Sequence, residues 1–283
     1  MTTSVEHEIL QHPLRFLLRV LKAFHANQGL LLSGAVAYYA LLSIIPLLIL
    51  LLVALSHIAN EAQVLTVLAR YLELLLPGES RPLLEQVQTF LEHRQALSWV
   101  LVGVLLFFSS LAFSVLESAM SVIFFDRAKV QRRHFLVSAL LPYLFIVLLA
   151  IGFLAVTLVS VILQGMKYLQ LPLGWDVPLE GLTGTVLYAL GLGSQILLLT
   201  GIYVLMPVGS RPLRHAIIGG ITAGLLWEFT RHLLVWYFAH LSFVNVVYGS
   251  LATTIIALLM LEIAAIILLL GAQLIAEYER TSE

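Results

Sequence analysis

Long stretches without a charged residue occupy most of the chain. Five of them run for 22 to 38 residues without Asp, Glu, Lys or Arg, at 23–60, 95–116, 134–166, 181–210 and 232–261. Each is longer than the roughly 20 residues that cross about 30 Å of hydrocarbon as a helix. Because the stretches lack the apolar and polar alternation of membrane barrel strands, they predict helices. We predict an all-α membrane bundle with six spans, near residues 30–57, 98–124, 135–165, 182–208, 215–239 and 248–275.

Residues 9–24 have an amphipathic pattern instead. Basic side chains recur on one helical face, and apolar side chains fill much of the remaining surface; the two groups are His12, Arg15, Arg19 and Lys22, and Leu10, Leu14, Phe16, Leu17, Leu21 and Phe24. This pattern predicts a helix that lies at the membrane interface. Its basic stripe favours membrane lipids, anionic ones in particular, as partners, either as a general anchor or through a specific head group.

The segment 59–97 is too long for a simple connection between two spans. Its apolar residues recur at steps of three and four on both sides of a break at Pro77 and Gly78. Such a pattern predicts an external helical hairpin between spans one and two. The hairpin is either a cap over a cavity or a packing element against the outer ends of the spans.

Composition and charge agree with a membrane location. The chain is 60% hydrophobic and 11% charged, whereas soluble domains carry about 25% charged residues. A formal net charge of −1 gives no bias toward nucleic acid. With no cysteine, disulfides and thiolate metal sites are excluded. Ten Lys and Arg residues fall on one side of the predicted spans and four on the other, which places both termini in the cytoplasm.

Charged residues inside the predicted spans are candidate functional groups, because they usually face protein or water. Glu117 lies near the cytoplasmic end of span two, where a basic loop could pair with it. Glu228 and Arg231 lie about 20 and 24 Å up span five, on one helix face with His232. They form either a self-neutralising pair or a cluster in which Arg231 contacts an anionic ligand. Glu262 lies about 15 Å from Arg231 in depth and needs another partner, water or a proton.

Span one carries a second polar group, which comprises Tyr38, Tyr39, Ser43 and Pro46. Pro46 leaves the carbonyl of Leu42 without its helical donor and should kink the helix. Tyr39 and Ser43 share the face that approaches this point. The group is either a packing kink or a hinge and binding notch.

Gly220 and Gly224 form a G-x-x-x-G pair in span five. Small residues at this spacing allow two membrane helices to approach closely. The contact could lie inside one chain or between two copies, so a homo-oligomer is one interpretation.

No enzyme signature is present in the sequence. The histidines form neither H-x-x-x-H nor H-E-x-x-H, and there is no P-loop, G-x-S-x-G or dinucleotide fingerprint. We therefore expect a protein that is not an enzyme and that uses no cofactor or metal.

Two motifs carry a resemblance to a known family. The first is Gly34-Ala-Val-Ala-Tyr-Tyr-Ala-Leu-Leu-Ser-Ile-Ile-Pro46; the second combines Tyr248-Gly249-Ser250-Leu251-Ala252 with Leu269-Leu270-Gly271-Ala272-Gln273. In this order they resemble the YihY/BrkB family, also called ribonuclease BN-like, over nearly the whole chain. The resemblance implies a six-helix bacterial inner-membrane protein with cytoplasmic ends. The family commonly has Glu at the position of Gln273, and the residues give no support to a ribonuclease activity.

Two functions fit these features. The first is a non-ATP-driven transporter, or a protein that translocates a lipid or an amphipathic solute, through a path that includes Glu228, Arg231, His232 and Glu262 with the polar group of span one. The alternative is an envelope assembly or structural factor that acts through the external hairpin.

Overall fold

The computed structural model describes residues 12–58, 99–124, 179–207, 212–240 and 252–282, together with residues 144 and 147. All regular secondary structure in these ranges is helical, which confirms the predicted all-α class for this part of the chain. The helices are α1 (Pro13–Ala26), α2 (Gly29–Ile58), α3 (Trp99–Ile123), α4 (Leu179–Leu205), α5 (Leu213–His240) and α6 (Ala252–Ser282).

The helices follow the predicted elements closely. α1 lies where the interfacial helix was expected, and α2 to α6 lie at the positions of spans one, two, four, five and six. The expected third span, apart from residues 144 and 147, and the expected hairpin at 59–97 lie outside the described residues.

Three helical segments in the described ranges are long and apolar enough to cross a membrane. They are Val102–Ile123 in α3, Gly184–Leu205 in α4 and Thr254–Thr281 in α6, and a shorter apolar stretch, Gly29–Ile44, lies in α2. α5 is 28 residues long but carries Glu228 and Arg231, and it packs against both α4 and α6. The chain is therefore a helical membrane bundle with three clear spanning helices, and the count of six spans stays a prediction.

α6 continues past residue 275, where the sequence pattern placed the end of the span. Glu277 and Glu279 lie beyond this point, and both are buried and paired instead of marking the end of the helix. Glu277 accepts a hydrogen bond from Arg280 at 3.0 Å, and the Glu279 carboxylate lies 3.3 Å from Nδ1 of His215. Because protein groups replace water around both carboxylates, the helix can extend to Ser282.

The chain divides into two compact units, residues 1–38 with 113–283 and residues 39–112. In the first unit, the described core joins the end of α3 to α4, α5 and α6. Its largest fully buried side chains are Met120, Tyr203, Met206 and Leu269. Tyr203 satisfies its hydroxyl inside this core by donating to the carbonyl oxygen of Leu268 at 2.8 Å.

Small residues on α5 and α6 let the helices of this core approach closely. A Cβ on Gly224 would lie 2.7 Å from Cγ1 of Ile196, and one on Gly220 would lie 3.0 Å from the backbone nitrogen of Thr200. On α6, a Cβ on Gly271 would lie 2.8 Å from Cζ of Tyr203. The predicted G-x-x-x-G face thus packs against α4 of its own chain, and an oligomer through the same pair remains a prediction.

In the second unit, Ser43 of α2 bonds to the backbone of α3. Its hydroxyl donates to the carbonyl oxygen of Phe108 at 2.9 Å and accepts from the backbone N–H of Ala112 at 3.2 Å. These two backbone groups are four residues apart and would pair with each other in a regular helix. The buried Ser43 hydroxyl is therefore a polar contact between two apolar helices.

Candidate functional site

Glu228, Arg231 and His232 of α5 form a hydrogen-bonded cluster with α4. The Glu228 carboxylate accepts from the Tyr188 hydroxyl at 2.6 Å, from Nε of Arg231 at 3.2 Å and from Nη2 of the same arginine. Nδ1 of His232 lies 2.8 Å from the carbonyl oxygen of Glu228. The one-face arrangement that the spacing predicts for the three α5 residues is present, and Tyr188 completes it.

Exposure differs sharply between members of this cluster. The Glu228 side chain is 16% exposed, whereas those of Arg231 and His232 are 48% and 67% exposed. Three donor atoms bond to the Glu228 carboxylate, namely the Tyr188 hydroxyl and Nε and Nη2 of Arg231. None of the described hydrogen bonds involves Nη1 of Arg231. The carboxylate therefore orients the arginine, and the arginine presents the charge to its surroundings.

One half-exposed aromatic side chain, Tyr188 of α4, bonds to the Glu228 carboxylate that holds the arginine. Phe229, Leu233 and Trp236 are more than half exposed, but their spacing places them on the opposite face of α5 from Arg231. The exposed guanidinium has the chemistry to bind an anion.

Glu262 belongs to a different place in the first unit. Its carboxylate oxygen Oε1 lies 3.9 Å from the position that a Cβ on Gly34 of α2 would take. Among the described residues it has no ion-pair or hydrogen-bond partner, and it makes none of the contacts of the Glu228 cluster. No described hydrogen bond or ion pair joins Glu262 to the Glu228 cluster, and the staggered arrangement of the polar positions stays a prediction.

The polar group of span one is also divided. Tyr38 is 53% exposed, Ser43 is buried in its contact with α3, and Pro46 lies inside the continuous helix α2. Tyr39 is partly buried.

A second polar network lies where α1 meets α6, and the sequence reasoning did not identify it. Asn27 donates from Nδ2 to Oε1 of Gln273 at 2.9 Å, and Gln273 donates to Glu277 at 3.5 Å. Gln273 is fully buried, as is Ala272, and Gly271 packs on Tyr203. In the sequence, the spacing of Gln273, Glu277 and Arg280 places them on one helical face, and this pattern could have indicated the network. The other motif residues, Tyr248, Gly249 and Ser250, lie outside the described ranges.

No group of three or more His, Cys, Asp or Glu side chains that could hold a metal ion is found in the described part of the chain. Around Arg231, the described groups offer ion pairing and hydrogen bonding.

Comparison with known proteins gives the family. A family model described as Virulence factor BrkB matches residues 20–283. A UPF0761 membrane protein of Azotobacter vinelandii is 28% identical over 260 residues, which is 89% of this chain and 60% of that protein. One of Alkalilimnicola ehrlichii is 25% identical over 91% of this chain and 57% of its own length, and one of Aliivibrio fischeri is 28% identical over 86% and 76%.

The chain thus spans about three fifths of the length of the first two relatives. No solved structure matches it significantly. The relatives are named as membrane proteins, in agreement with the apolar helices described above. Since the family model covers all but the first 19 residues, the resemblance noted in the sequence is confirmed, and the chain belongs to the YihY/BrkB family, described as Virulence factor BrkB.

Proposed function

We propose that this protein binds an anionic lipid, or another amphipathic anion, and moves it across the bacterial inner membrane without ATP hydrolysis. In this proposal the protein crosses the membrane several times and has both termini in the cytoplasm. The observation that carries it is the half-exposed Arg231 guanidinium, fixed by Glu228 on a helix that packs between two spanning helices.

The energetic argument starts from the cost of a charge at membrane depth. An arginine near the centre of a spanning helix costs about 2.5 to 3.5 kcal/mol on insertion scales. The ion pair with Glu228 reduces that cost and leaves the Arg231 side chain half exposed, so the guanidinium is accessible to a further anionic group. An anionic group at Nη1 would add charge-assisted hydrogen bonds where water is scarce.

The membrane setting and the half-exposed Tyr188 ring favour an amphipathic ligand over a small inorganic anion. Tyr188 bonds to the Glu228 carboxylate that holds the arginine. An apolar tail can lie in the bilayer or against this ring while the anionic group meets the guanidinium. His232 adds a second exposed polar side chain beside it.

The path in this proposal also includes Glu262, which lies in the same compact unit as Arg231. Glu262 offers a carboxylate without a described countercharge, next to Gly34, where a missing side chain leaves space.

Flux assays in proteoliposomes test the proposal. A fluorescent phosphatidylglycerol that is quenched from outside reports its movement between leaflets, and a fluorescent phosphatidylcholine serves as the neutral comparison. We expect the double variant Glu228→Gln with Arg231→Gln to lose most of the phosphatidylglycerol movement. Arg231→Lys, which keeps the charge but not the fork geometry, should keep part of it.

Thr230→Ala is the matched control, because Thr230 lies on the same helix and its hydroxyl bonds only to the carbonyl oxygen of Leu226. It should move lipid as the parent protein does. Undiminished flux in a correctly inserted Glu228→Gln, Arg231→Gln protein would refute the proposal.

A further inference from the structure

Helix α1 presents three distinct faces. At about 3.6 residues per turn, the centres of these faces are spaced about 120° apart around its axis. The buried face comprises Phe16, Val20 and Phe24. The leucine face is exposed and comprises Leu14, Leu17, Leu18 and Leu21. The basic face comprises His12, Arg15, Arg19 and Lys22. An ordinary amphipathic helix needs only two faces, so the exposed leucines require an explanation of their own.

The buried face fixes α1 on the rest of the first unit. Phe16 and Val20 form a cluster with Tyr278 and Leu274 of α6 and with Ile218 of α5. Asn27, just after the helix, adds the hydrogen bond to Gln273. The helix is thus held by one side, and its leucine side points away from the contacts that hold it.

The direction of α1 follows from these contacts. From Phe16 to Asn27 the chain advances about 16 Å along the axis of α1, whereas the α6 residues that α1 and Asn27 contact, from Gln273 to Tyr278, span only about 7.5 Å. α1 therefore crosses α6 steeply. Since α6 is a spanning helix, α1 runs closer to the membrane plane than to the membrane normal.

The position of α1 relative to the bilayer is set by its link to α2. Only Asn27 and Gln28 separate the two helices, and Gln28 adopts a positive φ of 55° that turns the chain. The apolar stretch that begins at Gly29 follows at once. Leu14 and Leu18, which are 74% and 56% exposed, thus belong to a helix that leads directly into this apolar stretch.

We propose that α1 docks on an anionic bilayer surface, with its leucine face in the acyl boundary and Arg15 and Lys22 at the phosphate level. Four leucines at an interface bury apolar area, and basic side chains beside them attract anionic head groups. The buried aromatic face transmits this anchoring to α6. The proposal is independent of lipid transport, because it concerns a surface helix and not Arg231.

The absence of native cysteine makes a direct test possible, since each introduced cysteine is the only labelling site. Leu17→Cys and Leu21→Cys are labelled with an environment-sensitive fluorophore in the full chain, in nanodiscs that contain phosphatidylcholine with phosphatidylglycerol. We expect blue-shifted emission and quenching by lipids that carry a spin label on the acyl chain. The matched control is a label at His12→Cys on the basic face, which should be quenched more weakly.

A second measurement tests the choice of anionic lipid. Energy transfer from the Leu17→Cys label to acceptor-labelled phosphatidylglycerol, compared with acceptor-labelled phosphatidylcholine, reports which lipid gathers around α1. Each basic residue near an anionic surface contributes about 1 kcal/mol, so its loss should reduce the preference about fivefold. Arg15→Gln with Lys22→Gln should lose the preference, while Arg15→Lys with Lys22→Arg should keep it.

Two results would overturn the proposal. One is a label at Leu17→Cys and Leu21→Cys that stays as water-exposed as the His12→Cys label. The other is protection of these labels from water without quenching by lipid, which would show that a second protein copy or another partner covers the leucine face.

Discussion

The close contact between Gly271 and Tyr203 predicts how a side chain at position 271 changes the stability of the bundle, and a double variant tests that prediction. A Cβ on Gly271 would overlap the hydroxyl oxygen of Tyr203, lie 2.8 Å from its Cζ and lie 3.2 Å from Cβ of Ala223. Tyr203 is 1% exposed and its hydroxyl is bonded to the carbonyl oxygen of Leu268, so the ring cannot move away freely. Gly271→Ala should therefore destabilise the bundle by about 1 to 3 kcal/mol, the usual cost of overpacking.

Removal of the tyrosine hydroxyl should partly reverse this effect. Tyr203→Phe alone loses one hydrogen bond, which in membrane proteins costs about 0.6 kcal/mol on average and at most about 1.7. In the double variant the nearest overlapping atom is absent, while the contact with Cζ remains. We expect the double variant to be about 1 kcal/mol more stable than the sum of the two single effects predicts, a coupling typical of side chains in contact.

The assay is reversible unfolding in mixed micelles, followed by the helical circular dichroism signal. Gly191→Ala is the matched control, because nothing lies within 4 Å of a Cβ at that position on α4. It should be neutral or slightly stabilising, since alanine is the better helix former. The packing described for this core would be refuted if the Gly271→Ala protein were as stable as the Gly191→Ala protein. It would also be refuted if the stability losses of Gly271→Ala and Tyr203→Phe were strictly additive in the double variant.

Two further predictions concern single hydroxyl groups. Tyr188→Phe removes one of the donors that hold Glu228, so it should lower lipid flux several-fold while leaving the unfolding midpoint nearly unchanged, as measured in the proteoliposome and micelle assays. Ser43→Ala removes the contact between α2 and α3 and should cost about 0.6 to 1.7 kcal/mol of stability by the unfolding assay. Ser118→Ala is the control, because the described bond of the Ser118 hydroxyl is to Ser114 in its own exposed helical turn, and this variant should lose almost no stability. An equal loss of stability in both serine variants would contradict the role given to Ser43.

The helices could be predicted because their signal is local. An uncharged run such as 181–210 is long enough to demand a spanning helix whatever packs against it, and α4 occupies most of that run. The end of α6 could not be predicted in this way. Glu277 and Glu279 suggest an exposed helix end until one knows that Arg280 and His215 meet them.

The candidate site was predictable in part for the same reason. Glu228, Arg231 and His232 are neighbours along one helix, so their spacing alone places them on one face. Tyr188 comes from another helix 40 residues earlier, and no spacing rule connects it with Glu228. Similarly, Ser43 belonged to a local pattern around Pro46, but its partners on α3 lie 65 and 69 residues away.

By itself, the amino-acid sequence determined that this is an all-helical membrane protein of the YihY/BrkB family, because apolar run length and motif order are properties of neighbouring residues. Only the tertiary structure decided which groups meet. It placed the small residues of α5 against α4, gave Glu228 a tyrosine, left Glu262 beside Gly34 and divided α1 into three faces. The physical reason is that hydrogen bonds and close packing act over a few ångströms between helices that are far apart along the chain.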